Sequence, residues 1–417
     1  MWAAEGFLPL DSQHRVEGES IMDVAEHYLC ELAQRGMVQV QVEELSGKFK
    51  SCQLHDLMRD ICLSNGKEEN FLKIIHFRNG HEPIGSRSSL KAATTAPTRR
   101  LSVFADVYVE KYFPPIHEKT SHVRSVLFFN RCTYRITIQD MLKLLCKDFK
   151  LLRVLQLDNF WFRLKLSKAI GDLVHLRYLS FQNSDFIEVP SSLSNLKFLQ
   201  TLDLKVKSIN SLTIPDVLWK LDHLRHLYLP LFYKNSHLQL SSLTRLETLK
   251  NFDTRVSDFR DLFHLTKLRR KLSAIFSLGW EDLQAIMNYL TRNSNLLCES
   301  SFSIYYRFRS EKELHFLRQL VGCDHLRNLD LIGRVTKLPE YHYFSSSLIK
   351  LTLRKSELEE NPMAILEKIP TLKFLSLNLN VFMGKEMSCS RQGFPQLRTI
   401  ELREIPGLES GGWKKEP

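Results

Sequence analysis

No run of these 417 residues stays apolar over the roughly 20 residues that a bilayer-crossing helix needs. The opening Met1-Trp2-Ala3-Ala4-Glu5-Gly6 has no basic segment followed by an apolar run, so it is not expected to be a secretory signal. The eight cysteines stand at 30, 52, 62, 132, 146, 298, 323 and 389, and no C-x-x-C pair is among them. That leaves no zinc ribbon or thioredoxin-type pair, and reduced, buried thiols are the expected state. Cys52-x-x-His55 with Cys62 lacks a second ligand pair at zinc spacing, so Cys62 is expected on the apolar, core-facing side of a helix. The phosphate-cradling G-x-x-x-x-G-K-[ST], the nucleophile elbow G-x-S-x-G, the metal-binding H-E-x-x-H and a paired-acid motif are all missing. The composition therefore offers no catalytic machinery, and no metal site is expected.

Charge is the one imbalance. The net +11 admits nucleic acid, an anionic membrane or an acidic protein as partner. The basic clusters are short: Arg99-Arg100, Arg269-Arg270-Lys271 and Lys414-Lys415. None forms a stripe with interleaved aromatics, so nucleic acid is not the expected partner. The remaining basic residues are expected to be spread over a solvated surface.

What the chain does have is a leucine period. Leu173-Leu176-Leu179-Phe181 is followed by Leu196-Leu199-Leu202-Leu204 and Leu221-Leu224-Leu227-Leu229. The third members, at 179, 202 and 227, are 23 and 25 residues apart, within the range of leucine-rich repeats. Related segments occur at 101–103, 123–129, 151–157, 243–249 and, degenerate, 265–272. The pattern returns at 325–331, 347–353, 371–377 and 396–402. It is least regular over 280–322, where Phe302 and Ile304 could still form a strand.

Each repeat should supply a short parallel strand whose leucines enter a core that the next repeat completes. The residues between the leucines should then line a concave outer face: Val154, Gln156 and Asp158; Tyr178, Ser180 and Gln182; Thr201, Asp203 and Lys205; His226, Tyr228 and Pro230. Later repeats add Asn328, Asp330, Lys350, Thr352, Arg354, Phe374, Ser376, Asn378, Thr399, Glu401 and Arg403. From these we take Tyr178, Gln182, Asp203, Lys205, His226, Tyr228, Asp330, Arg354, Phe374, Glu401 and Arg403 as candidate partner-binding residues. Tyr178, Tyr228 and Phe374 are either binding anchors or packing between neighbouring repeats.

The first eighty residues read differently. Ser20 and Asp23 suggest a capping box, and Ile21, Val24, Ala25, Tyr28, Leu29 and Leu32 recur at helical spacing before Gly36. Val38, Val40 and Val42 alternate with polar residues as in a half-buried strand. A turn at Ser46-Gly47 would lead into a return strand from Lys48 to about Leu54. Asp56 would then cap a helix carrying Leu57, Met58, Ile61 and Cys62. Residues 82–98 are rich in Pro, Ser, Thr and Ala and form the expected linker. The expected organisation is a small α+β winged-helix-like domain (1–81), the linker (82–98), an α/β leucine-rich-repeat solenoid of horseshoe form (99–410, irregular at 101–150 and 265–322) and a tail (411–417).

These segments together resemble a plant intracellular immune receptor of the coiled-coil, nucleotide-binding, leucine-rich-repeat class. "MWAAEGFL" (1–8) is similar to the family's "LWxAEGF" segment. "DVAEHYLCELAQRGMVQV" (23–40) resembles its winged-helix module, "CQLHDLMRDICLS" (52–64) the region of its Met-His-Asp motif, and "RRLSVF" (99–104) the opening of its repeats. Here Leu54 stands in the motif's Met position.

The resemblance implies that His55, beside Asp56, would face the β-phosphate of bound ADP, at a helix start where an anion is favoured. Without a phosphate-binding loop in these residues, that pair is expected to be idle, with no cofactor for the chain itself. A partial receptor is the expectation, and its last repeat would leave an apolar edge exposed.

The function so implied is plant defence inside the cell, in the cytoplasm. The repeats would recognise a pathogen effector, a guarded host protein or the receptor's own nucleotide-binding domain, and would mediate autoinhibition without enzymatic activity. The alternatives are a non-immune repeat adaptor or scaffold, and a weak ADP/ATP-binding switch.

Overall fold

The computed structural model describes residues 1–8, 21–42, 49–77, 98–106, 109, 122–130, 136–162, 165–207, 211–234, 238–292, 297–405 and 413–415. These residues form two compact units that part between Leu246 and Glu247.

The first unit opens with α1 (Trp2–Glu5), a single turn ended by Gly6 at φ 85°. α2 (Ile21–Gln34) buries Ile21 and Val24, and Gly36 at φ 70° terminates it. β1 (Val38–Val42) and β2 (Phe49–Leu54) pair antiparallel with Val40 opposite Cys52. α3 (Asp56–Glu68) completes the helix–hairpin–helix order expected of a winged helix. The expected cap at Ser20 and turn at Ser46-Gly47 lie outside the described residues.

Two expectations for α3 are corrected. His55, not Asp56, occupies the N-cap, and its side chain makes no capping hydrogen bond. The Asp56 carboxylate instead reaches Arg59 one turn on, at 3.1 Å. The apolar side of α3 is also not a core face: Leu57 is 67% and Ile61 44% exposed, and Cys62 is exposed. Helical spacing identifies a stripe but not what covers it, and no described residue of α3 is buried.

β3 (Lys73–His76) precedes the expected boundary at 81, yet it pairs in parallel with β4 (Arg100–Ala105). The chain thus enters the repeat sheet one strand before the linker, of which only Thr98 is described. Next come β5 (Ser125–Asn130), β6 (Val154–Asp158), β7 (Tyr178–Ser180), β8 (Thr201–Asp203), β9 (Leu212–Thr213), β10 (His226–Tyr228) and β11 (Tyr233–Lys234). β3, β4, β5, β6, β7, β8 and β10 lie side by side in one parallel sheet, while β9 and β11 pair with each other.

Leu101, Val126, Leu155, Leu179, Leu202 and Leu227 share a single register position, and none is more than 5% exposed. A leucine so buried contributes about 2 kcal/mol over an exposed one. Phe162, Phe181 and Phe186 fill the space behind β7 edge to face, with centroids 5.2–5.7 Å apart. Short 3-10 turns such as Lys168–Asp172, Ser191–Asn195 and Leu218–Lys220 return the chain, and Pro190 precedes the second.

The second unit repeats the plan with β12 (Thr248–Asp253), β13 (Lys271–Phe276), β14 (Glu299–Tyr305), β15 (Leu326–Ile332), β16 (Lys350–Arg354) and β17 (Phe374–Asn378). β18 (Met387–Cys389) and β20 (Trp413–Lys415) pair apart from the sheet, which β19 (Thr399–Arg403) joins beside β17. Ile400, at the inward position of β19, is 39% exposed.

Within the stretch expected to be irregular, 265–322, the described residues form repeats of another kind. Helices Trp280–Arg292 and Glu311–Val321 return the chain to β14 and β15. The register Leu272, Ser300, Leu326 then advances by 28 and 26 residues. A helical return needs a longer repeat than a 3-10 turn, which is why a template near 24 residues misses it.

Candidate protein-binding strand face

On the solvent side of the first sheet the expected outward residues fall into lateral rows. Val154, Tyr178, Thr201 and His226 are in register, as are Gln156, Ser180, Asp203 and Tyr228. Asp158 Oδ1 accepts hydrogen bonds from Ser180 Oγ (2.6 Å) and the Gln182 amide (2.8 Å), and Gln156 Nε2 donates to Oδ2 at 2.8 Å. Burial nevertheless raises the Asp158 carboxyl above its usual range, and it pushes the Tyr178 phenol up beside it. Asp203 accepts from the Lys205 amide at 3.0 Å and pairs with Lys205 Nζ at 3.1 Å. The same ammonium lies 5.0 Å from the centroid of the Tyr228 ring. Carboxylate, ammonium and phenol ring thus form one polar cluster across β8 and β10.

Several expected face residues are less open than the alternation suggests. Val154 is 1% exposed, Ser180 1%, His226 6% and Asp203 7%. Neighbouring strands lie only about 4.8 Å apart, so long side chains such as Lys205 shade their shorter neighbours. Pointing outward is therefore not the same as being available: Gln182 is exposed and Tyr178, Lys205 and Tyr228 are half-buried, whereas Asp203 and His226 are covered.

In the second unit, Asn328, Lys350, Phe374 and Thr399 form one row, and Asp330, Thr352, Ser376 and Glu401 the next. Arg354 Nη2 pairs with Asp330 Oδ2 at 2.9 Å, and Lys350 Nζ stands 4.0 Å from the Phe374 centroid. Burial raises the Asp330 carboxyl, with Arg354 and Lys350 opposing the rise. Arg403 and Glu401 pair at 3.5 Å, and Glu401 also accepts from Ser376 Oγ at 3.3 Å.

Sequence reasoning missed the most tightly paired group on this face. Arg255 holds the nearly buried Asp253 through Nε and Nη2, at 2.6–3.0 Å, and its guanidinium lies 5.6 Å from the Tyr305 centroid. Lys271 pairs with the buried Glu299 on the next strand. The acid-x-base spacing of Asp253 and Arg255, shared with Asp203–Lys205 and Glu401–Arg403, was the available signal.

His55 and Asp56 stand at the start of α3 and not on the repeat strands. A shallow hollow beside them is lined by Gln39, Gln53, Leu54, Asp56 and Arg59, with Gln53 Nε2 donating to Gln39 Oε1 at 3.0 Å. Asp56 and its partner Arg59 are the charged groups of that hollow, so its lining is close to neutral overall. No group of three or more potential metal-ligating side chains comes together among the described residues.

The family description "Leucine-rich repeat region" matches residues 122–409. The chain belongs to the leucine-rich-repeat family. A second description, "Disease resistance protein Winged helix domain", matches residues 1–62 of this repeat protein. Its relatives over nearly the whole chain are plant disease resistance proteins of Arabidopsis thaliana. The putative disease resistance protein At1g59780 is 36% identical over 98% of this chain and 42% of its own length. The disease resistance protein RPP8 is 35% identical, also over 98% and 42%. The probable disease resistance protein RF9 is 34% identical over 100% and 38%. The repeat chain thus spans about two fifths of the length of the curated relatives it matches.

Among solved structures, an internalin of Listeria monocytogenes overlaps 70% of this chain and 81% of its own at 15% identity and a TM-score of 0.41. A TDR receptor overlaps 76% and 58% at 16% identity and a TM-score of 0.39. No helix among the described residues is long and apolar enough to cross a membrane.

Proposed function

We propose that this chain is the recognition part of a plant disease-resistance receptor acting inside the cell. Its strand face would bind a protein: a pathogen effector, a guarded host protein or the nucleotide-binding domain of a receptor, which it would hold inactive. The observation that carries the reading is the coupling, in one chain, of a disease-resistance winged helix to in-register strands whose solvent sides present Lys205–Tyr228 in the first unit, and Arg255–Tyr305 and Lys350–Phe374 in the second. Basic groups over aromatic rings, between repeats that cannot slide, make the rigid mixed anchors that dominate protein interfaces.

In this proposal the chain is receptor-like rather than an enzyme. His55 and Asp56 keep the family's motif, but residues 1–417 by themselves supply no phosphate-binding loop for them to work with. Winged helix (1–81), linker (82–98) and repeats (99–410) remain the working organisation, with β3 assigned to the repeat sheet.

The test is co-expression in leaf tissue with the nucleotide-binding region of a disease-resistance relative. We expect the two to co-purify, cell death to be suppressed, and both effects to weaken when Lys205 and Tyr228 are changed to Ala. A chain that neither co-purifies with that region nor alters cell death refutes the autoinhibitory part. Calorimetric titration with ADP should give no binding heat; micromolar binding would instead favour the nucleotide-switch alternative.

A further inference from the structure

β19 (Thr399–Arg403) is the outer strand of its sheet and has a neighbour, β17, on one side only. The Thr399 amide donates to the Lys373 carbonyl at 3.2 Å, and the Arg403 carbonyl accepts from the Leu379 amide at 3.1 Å. In this parallel ladder the alternate residues Thr399, Glu401 and Arg403 therefore turn their peptide groups to β17. Those of Ile400 and Leu402 turn to the open side, where no described strand meets them. Ile400 is 39% exposed and Leu402 half-buried, whereas Leu375 and Leu377, in register with them on β17, are both 0% exposed.

An open strand edge is a template for another strand, and charges along it ordinarily discourage such pairing. On β19 the charges stand two apart with opposite sign. Glu401 Oε1 meets Arg403 Nη2 at 3.5 Å, and the Arg403 side chain is 69% exposed. The same acid-x-base spacing at Asp203–Lys205 lies on β8, which has a strand on either side. Set against an antiparallel copy of itself, β19 has few allowed registers. Only the residues whose peptide groups face outward, Ile400 and Leu402, can exchange backbone hydrogen bonds across the edge. In a pairing centred on Glu401, the two Glu401 carboxylates are directly opposed and repel. Centred on Ile400, Glu401 faces Thr399 and neither charge finds a partner. Centred on Leu402, Glu401 of each copy faces Arg403 of the other, twice.

We propose that β19 is a self-association edge, through which two copies of this chain join antiparallel about a two-fold axis at Leu402. Contact exchanges the Glu401–Arg403 pair within each copy for two pairs between copies, and the two Leu402 peptide groups bond to each other. Ile400 comes diagonal to Leu402 of the second copy, so both apolar side chains lose water on the core side of the joined sheet. The inference is independent of what the rest of the strand face binds.

A strand of another protein fits less directly. It would have to bring an acid and a base at the same spacing and on the same face. A second copy brings both by symmetry, and the charges that block the other registers then select this one.

The experiment is sedimentation equilibrium of the full chain over rising concentration. So short an edge makes a weak interface, and a dimer is expected with a dissociation constant on the order of 10 µM. Glu401→Arg alone and Arg403→Glu alone each oppose like charges and should weaken it about tenfold or more. The swapped chain, Glu401→Arg/Arg403→Glu, restores opposite charges and should return to within about threefold of the original. That recovery separates lost pairing from lost folding. The register is read by mixing a chain carrying Glu401→Cys with one carrying Arg403→Cys. Directly opposed residues lie about 4.5–5.5 Å apart, within disulfide reach, so the two chains should cross-link to each other at least about fivefold more than either does to itself. A chain still monomeric at about 200 µM, a dimer indifferent to the single variants, a swap without recovery, or equal cross-linking in the mixed and unmixed samples would overturn the proposal.

Discussion

Replacing Arg100 tests whether the winged-helix segment is tied to the first repeats by a single cation. Its guanidinium lies between two rings, 4.6 Å from the Phe7 centroid and 4.2 Å from that of Phe71, and its Nε is 3.2 Å from Glu5 Oε2. The two side chains are only 19% and 9% exposed. Breaking a buried pair from one side costs about 3–5 kcal/mol, and each cation–π contact is worth about 0.5–1 kcal/mol. Arg153 remains to act on Glu5, so about 3 kcal/mol is the expected deficit of Arg100→Ala near neutral pH.

The sign of its pH dependence follows from Glu5. Burial already raises that carboxyl, and Arg100 is the largest opposing influence. An acid whose folded-state value is raised favours the native state below its ordinary range and loses that advantage as pH rises through the raised value. Removing Arg100 raises it further, so the deficit should grow from about pH 4 to pH 7, the window above the ordinary glutamate value. The assay is amide hydrogen exchange across Arg100–Ala105. A 3 kcal/mol deficit appears there as a loss of protection of about 100-fold, since 1.4 kcal/mol is a factor of ten. Adding Glu5→Gln should recover part of the loss and flatten the pH dependence. A deficit that is the same at both ends of the range, or unchanged by Glu5→Gln, would refute the reasoning.

Three further outcomes are expected. Phe181→Ala opens a void against Phe162 and Phe186 and should cost about 3–5 kcal/mol, read as lost protection in β6, β7 and β8 with β15, β16 and β17 unaffected. Ser310→Ala removes the capping box in which Ser310 Oγ accepts from the Glu313 amide (3.3 Å) and Glu313 Oε2 accepts from the Ser310 amide (2.7 Å); helix Glu311–Val321 should lose about 1 kcal/mol, seen as faster exchange of its first turn. Asp158 should titrate above the usual aspartate value by carbon-detected NMR, and its contribution to stability should decline as pH rises through that raised value; a midpoint at or below about 3.9 would contradict the burial seen here.

The leucine period was legible because a buried residue declares itself by spacing alone. Leu155, Leu179, Leu202 and Leu227 share a register position in the sheet as their spacing in the chain implies. Over 265–322 the same period was hidden, because helical returns lengthen the repeat and Ser300 replaces a leucine in the register. α3 was legible as a helix but not in its surroundings, since Leu57 and Ile61 show a stripe without naming what it meets. On the strand face, outward direction could be read for Asp203 and His226, but their burial could not: it depends on the length of side chains one strand away.

The acid–base pairs, Asp203–Lys205 on the strand face of the first unit and Asp253–Arg255 and Glu401–Arg403 on that of the second, make contact an exchange of partners. A carboxylate arriving at Lys205 does not meet an idle cation; it displaces Asp203, which keeps the Lys205 amide but loses the ammonium. The number of ion pairs before and after contact is then nearly equal, so attraction between charges contributes little to net affinity. Discrimination is different. A partner that brings the wrong charge leaves two groups unmatched instead of one, and a single substitution on either side becomes a double penalty. A surface wired in this way reads charge patterns by refusing errors rather than by rewarding matches.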